Sequence, residues 1–179
     1  MLKYVASVTG VAIIAPLLGC SEKVLPIITP AEPLLFFTPE NFKVLTQLID
    51  VILPKTDSPS ASDVKVNYIM DQLLGRVFDH EYRNKFSHLF AQLTTYLDQN
   101  NFSELSASKQ TAFLTALETL PEEQRNNAFW AYIDIKQQTV VHYLSTEEIA
   151  KNHLNYLPIP GPYKPCVPVE ELGGKAWAI

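Results

Sequence analysis

The sequence predicts an all-α fold, a bundle of five to six helices followed by an extended, proline-rich C-terminal tail. Apolar residues recur at helical spacing between residues 38 and 155, and no stretch alternates apolar and polar residues over the length of a strand. Prolines then crowd residues 158–168. Because proline lacks an amide and fixes φ, this tail should form neither helix nor sheet.

The composition is that of an ordinary globular protein. The chain has 179 residues, of which 47% are hydrophobic and 18% charged, and its formal net charge is −5. This length fits one domain with a substantial core. The charged residues are scattered and form no basic stripe, so we expect no nucleic-acid partner.

The N-terminus carries an export signal. Lys3 precedes the apolar run 5–18, which has the length of a signal-peptide core and is short for a membrane span of about 20 residues. Leu17, Leu18, Gly19 and Cys20 then match a bacterial lipobox. We therefore expect residues 1–19 to be a signal peptide and Cys20 to be lipidated, which would hold the chain on the periplasmic side of a bacterial membrane.

The second cysteine, Cys166, would then have no intramolecular partner. Two interpretations stay open: Cys166 is a small buried apolar residue, or it pairs with a cysteine of a partner protein. A thiol-dependent enzyme using His142 or His153 is a weaker alternative, since only Lys164 lies near in sequence to favour a thiolate.

Residues 20–37 are predicted to be a lipid-anchored tether, because they contain three prolines and no helical period. Residues 34–37 should pack onto the body where the tether arrives. The helical domain, residues 38–155, then begins with Thr38 as a cap, Pro39 in the first turn and an acid beside it.

Pro54 ends this first helix, and two more are predicted over about 64–78 and 81–98. The expected core positions of these three helices are Phe42, Leu45, Leu48, Ile49, Ile52, Val66, Ile69, Met70, Leu73, Leu74, Val77, Tyr82, Phe86, Leu89, Phe90, Leu93 and Leu97.

Ser106 is the predicted cap of a fourth helix. Pro121 and the two glutamates after it are predicted to open a fifth, with Trp130 and Tyr132 in the core. A sixth helix should start at about Thr146. Its predicted start is a capping box, in which the side chains of Ser145 and Glu148 bond each other's amides.

Candidate catalytic and metal-binding groups are sparse. The four histidines lie on separate segments without ligand spacing, and neither a glycine-rich nucleotide loop nor a c-type haem motif is present. We therefore expect this chain to bind no cofactor or metal itself. The aspartates around the first two helices are expected to be solvated or to cap helices; they are Asp50, Asp57, Asp63 and Asp71.

The tail, residues 156–179, carries too many apolar side chains to lie free in solvent. Either it covers the helical body of its own chain or it covers another protein, and the composition alone leaves both open. Trp177 follows two flexible glycines, so its indole should be free to enter a groove of a partner. The predicted partner-binding residues are Tyr156, Pro158, Pro160, Gly161, Tyr163, Cys166, Pro168 and Trp177.

The tail's run from Tyr156 to Pro168, with the closing Gly174 to Ala178, resembles the C-terminal signature of the gluconate 2-dehydrogenase subunit 3 family. The resemblance continues upstream at Thr38, Pro39, Phe42, Leu45, Leu48, Asp50, Ile52, Pro54, Thr56, Pro59, Ala61, Ile69, Asp71 and Leu74.

This resemblance implies a non-catalytic small subunit of a membrane-bound, periplasmic flavoprotein sugar or polyol dehydrogenase. The implied partner is a large flavoprotein subunit of the glucose-methanol-choline type, which carries FAD, and a cytochrome c subunit with haem c is left open. The small subunit would anchor and stabilise the large one, and help with its export is also left open. The alternative is a free-standing periplasmic lipoprotein that binds a small ligand.

Many members of that family carry a twin-arginine export signal, whereas this chain has no arginine before Arg76. Residues 1–3 match the last three positions of the twin-arginine motif. Our hypothesis is that Met1 is an internal methionine and that translation starts upstream. The alternative is export by the general secretory route.

Overall fold

The computed structural model describes residues 33–159, 161–162 and 165–178. The predicted signal peptide, Cys20 and the tether up to residue 32 lie outside the described residues. The described part is helical, without a β-sheet, which confirms the all-α prediction. The helices are α1 (Pro39–Ile52), α2 (Val66–Arg76), α3 (His80–Gln99), α4 (Ala107–Glu118), α5 (Asn127–Leu144) and α6 (Glu147–Asn152).

Two helix starts follow directly from local sequence. At α1 the Thr38 hydroxyl accepts a hydrogen bond from the Asn41 amide, and Pro39 occupies the first turn, as predicted. At α3 the Asp79 carboxylate accepts the amide of Tyr82 at 2.7 Å. Both caps satisfy an amide that has no partner inside its own helix.

Helix α5 is the centre of the bundle and contacts α1, α2, α3, α4 and α6. It runs beside α3 for most of its length, and an aromatic group centred on Phe37, Phe86 and Phe90 fills one end of the core. The fully buried side chains include Leu45, Leu48, Ile49, Val66, Leu93, Ile135 and Ile149.

Two predicted core residues are exposed. Val77 lies just after the last residue of α2 and is 68% exposed, because the chain turns there towards α3. Trp130 is 50% exposed, whereas Tyr132 is buried as predicted. Two positions two residues apart point about 200° apart around a helix, so only one of them can face the core.

The predicted start of the fifth helix is wrong. Pro121 and the two glutamates after it form a separate 3₁₀ turn, Glu122–Gln124, and α5 begins at Asn127. Its cap is Asn126, whose side-chain oxygen accepts the Phe129 amide at 3.1 Å. Short 3₁₀ turns of this kind are frequent connectors next to α-helices.

The predicted capping box at α6 is also wrong. Ser145 ends α5, and its hydroxyl donates to the Val141 carbonyl at 2.7 Å. Thr146 is the residue before α6, and its hydroxyl donates to the Tyr143 carbonyl at 2.8 Å. Both hydroxyls therefore bond the end of α5 rather than the start of α6, because the two helices follow each other without a loop.

Asp71, predicted to be solvated or to cap a helix, is completely buried. Its carboxylate accepts the backbone amides of Leu35 at 2.8 Å, Phe36 at 3.0 Å and Phe37 at 3.0 Å. The Cβ of Leu35 lies against Gly75 of α2, where an added Cβ would be 2.5 Å away. Asp71 thus fixes the segment that enters the bundle. Phe36 and Phe37 pack on the core as predicted, whereas Leu35 is 40% exposed.

None of the helices within the described residues combines the length and apolar character that crossing a membrane requires.

Candidate partner-binding surface

The tail leaves the bundle at Asn155, three residues after α6, and exposes its apolar side chains. Ile159 is 87% exposed and Trp177 is 47% exposed. Tyr156, Leu157 and Val169 are exposed as well. The rest of the described chain therefore covers these side chains only in part, and which of the two alternatives holds for the tail stays a prediction.

Six of the predicted partner-binding residues fall within the described part of the tail, and all six are exposed; they are Tyr156, Pro158, Gly161, Cys166, Pro168 and Trp177. Pro160 and Tyr163 lie outside the described residues. The structure brings Trp177 back beside Asn155, and hence next to the start of the tail.

The end of the tail is held rather than free. The prediction that the tail forms no helix is wrong for Val169–Leu172, which is a short 3₁₀ helix. Asn155 and Trp177 form a parallel bridge, in which the Asn155 amide donates to the Ala176 carbonyl at 2.8 Å and the Ala178 amide donates to the Asn155 carbonyl at 3.0 Å. The expectation of a freely moving Trp177 is therefore wrong for its backbone. Gly173 and Gly174, which were expected to give flexibility, instead take φ of 59° and 73° and turn the chain back.

Cys166 is exposed and carries a free thiol. The interpretation of Cys166 as a buried apolar residue is therefore wrong. The other interpretation, a bond to a partner's cysteine, stays a prediction. Of the two histidines considered with it, His142 is already hydrogen-bonded to Gln138, with 2.9 Å between Nε2 and Oε1.

A second exposed surface, which sequence analysis missed, is a groove of about 580 Å³ between α3 and α5. Lys85, Leu89, Trp130 and Ile133 line it. The signal that could have found it was the spacing of Trp130 and Tyr132, which excludes one of them from the core.

One end of this groove is polar. The Tyr82 hydroxyl donates to the Asp134 carboxylate at 2.9 Å and 3.1 Å. Burial, together with the nearby charge of Asp134, raises the pKa of Tyr82 well above its ordinary value of 10.0, so Tyr82 stays a hydrogen-bond donor. Gln138 extends the network from Tyr82 to His142 along the same face of α5.

In the part of the chain that the structure describes, no cluster of three or more His, Cys, Asp or Glu side chains has the arrangement of a metal site. The void beneath α2, α3 and α5 is apolar and leaves no room for a water molecule. Sites for small molecules usually measure about 300–1,000 Å³. The groove between α3 and α5 falls within this range, and the tail adds exposed apolar area beside the bundle.

The family comparison agrees with this geometry. Residues 39–161 match the model of the family described as gluconate 2-dehydrogenase subunit 3. The match includes all six helices and the first part of the tail, and it ends before Pro162. No curated protein and no solved structure gives a significant match. Because the match covers most of the 179 residues, the chain belongs to the gluconate 2-dehydrogenase subunit 3 family.

Proposed function

We propose that this chain is the non-catalytic small subunit of a membrane-bound, periplasmic flavoprotein dehydrogenase. Its partner in this proposal is a large subunit of the glucose-methanol-choline type, joined by a cytochrome c subunit in complexes that contain one. The small subunit anchors the large one, stabilises it and assists its export. Membership of the family supports the role of subunit in a gluconate dehydrogenase complex.

The observation that carries the proposal is the exposure of the tail's apolar side chains. Tyr156, Leu157, Ile159, Val169 and Trp177 are all exposed along one segment that follows a well-packed bundle. Large exposed apolar groups in close succession are typical of protein interfaces, and tryptophan and tyrosine are enriched among the residues that dominate binding energy. The tail is therefore the proposed docking site for the large subunit.

FAD, and haem c where a cytochrome is present, belong to the partner subunits in this proposal. The void inside the described bundle leaves no room for a flavin.

Membrane attachment is proposed to depend on Cys20, and Cys166 provides a matched control. When the native host is grown with radiolabelled palmitate, the wild-type chain and the Cys166→Ala variant should carry label, and the Cys20→Ala variant should carry none. Cys20 is the last residue of the lipobox, whereas no lipobox precedes Cys166. Equal labelling of all three proteins would disprove the anchor.

The docking role of the tail is tested by deleting residues 173–179. The truncated chain keeps Cys20 and should stay in the membrane fraction, while dehydrogenase activity should move to the soluble fraction. The control is Val77→Ser, which changes an exposed apolar residue of the helical body and should leave activity on the membrane. Full membrane-bound activity with the truncated chain would refute docking by the tail.

A further inference from the structure

Asn155, which follows α6, forms more hydrogen bonds to the end of the tail than any residue of α6 does. Besides its backbone bridge to Trp177, its side-chain Nδ2 donates to the Leu172 carbonyl at 3.0 Å and to the Lys175 carbonyl at 2.7 Å. These two carbonyls flank Gly173 and Gly174. One amide group therefore holds both sides of the turn that brings Trp177 back to the bundle.

We propose that Asn155 is the positioning residue that fixes Trp177 for binding to the large subunit. This inference rests on the proposed function, since it takes the tail as the docking site. It goes beyond that function by naming the residue that shapes the site. Asn155 itself would donate no side-chain hydrogen bond to the partner, because both amide hydrogens are already used within the tail.

The chemistry of the position requires an amide. Asparagine supplies two donors on one nitrogen, which matches two carbonyl acceptors. Aspartate has nearly the same shape but offers only acceptors, so its oxygens would face the Leu172 and Lys175 carbonyls and repel them. The Lys175 ammonium adds a further bond to the Asn152 carbonyl at 3.2 Å, which closes the same loop from the other side.

Holding the backbone of Trp177 matters because binding is weakened by the entropy lost when a mobile group becomes ordered. Trp177 is 47% exposed, so its indole remains available while its backbone is already placed. A pre-ordered indole can therefore contribute more of its buried area to affinity than one on a flexible tail.

The test compares Asn155→Asp with Asn152→Asp in the full-length, detergent-solubilised protein. Both variants add one negative charge at the end of α6, but Asn152 contributes only its backbone carbonyl to the loop. Without a partner, hydrogen exchange at the Ala178 amide should be at least about 10-fold faster in Asn155→Asp than in the wild type, because the bridge opens more often. Asn152→Asp should exchange at the wild-type rate.

Binding is then measured with the flavoprotein subunit purified from the native complex. Trp177→Ala should raise the dissociation rate about 30-fold, the size expected of a residue that dominates an interface. Asn155→Asp should raise it about 10-fold, and Asn152→Asp should leave it unchanged. The double variant Asn155→Asp/Trp177→Ala should dissociate no faster than Trp177→Ala alone, because Asn155 acts only through Trp177.

The outcomes separate the two proposals. If no flavoprotein accompanies the chain from its host, the proposed function fails. If a flavoprotein binds and Trp177→Ala weakens it, but Asn155→Asp behaves like Asn152→Asp, only the positioning role is overturned. Additive effects in the double variant would also overturn it, since Asn155 would then contribute independently of Trp177.

Discussion

Ile135 and Ile159 place the same side chain in two different environments, the helical body and the tail. Ile135, on α5, is completely buried among neighbouring helices, whereas Ile159, in the tail, is 87% exposed. Burying an isoleucine contributes roughly 1.5–3 kcal/mol to folding. The helical body gains this free energy from its own packing, and the tail does not.

The difference teaches that apolar residues in this chain have two separate uses. In the body they follow the helical period and meet one another around α5. In residues 158–168 of the tail they are separated by prolines, which prevent the α-helix that would let them pack together. Variants in the body should therefore change stability, and variants in the tail should change binding.

The largest expected effect is at Asp71. Asp71→Ala removes the acceptor of three backbone amides, at Leu35, Phe36 and Phe37, and should lower the free energy of unfolding by about 3–5 kcal/mol. Chemical denaturation followed by circular dichroism measures this. The control Asp57→Ala, in the exposed loop after α1, should change stability by less than about 0.5 kcal/mol. Equal small effects would show that the entering segment is held by its phenylalanines alone.

The two isoleucines provide a matched pair of variants. Ile135→Ala creates a cavity at a fully buried position and should cost about 3 kcal/mol of stability. Ile159→Ala should change stability by less than about 0.5 kcal/mol. Thermal unfolding of both variants gives the comparison directly. A comparable loss in Ile159→Ala would mean that the tail supports the body, and the separation of roles would be wrong.

Helix starts that depend on adjacent residues could be predicted from the sequence. Thr38 and Pro39 define the start of α1 without help from the rest of the fold. The start of α5 could not be predicted in this way, because Pro121 and the acids after it suit a 3₁₀ turn equally well. That Trp130 and Tyr132 could not both face the core was predictable from the helical period alone, since they lie two residues apart on the same helix.

Contacts between distant parts of the chain could not be predicted. Asp71 bonds amides 34–36 residues away, and nothing around it in sequence distinguishes a buried carboxylate from a solvated one. Asn155 likewise meets residues 17–20 positions further along. Asp71 and Asn155 each hold a distant backbone segment through hydrogen bonds. Neither contact can be recognised before that segment has been placed in the fold.

The smallest expected effect concerns pH and again lies in the body. Burial lowers the pKa of His142 below its ordinary value of 6.5, so the folded protein prefers the neutral ring. Above pH 6.5 both folded and unfolded chains are neutral there, and His142 adds no pH dependence. As pH falls below 6.5 the unfolded chain takes up a proton first, so stability should decrease until the lower, folded pKa is passed.

His142→Asn should flatten this decrease in the melting temperature between about pH 6.5 and 5, because asparagine does not titrate. The variant should still lose stability at lower pH, where other groups act. Hydrogen bonding to the Ser60 amide lowers the pKa of Asp63, and hydrogen bonding to Lys151 lowers that of Glu147, so their contributions disappear only as pH falls below 3.8 and 4.5. An unchanged slope above pH 5 in His142→Asn would assign the pH dependence to a group outside the network on α5.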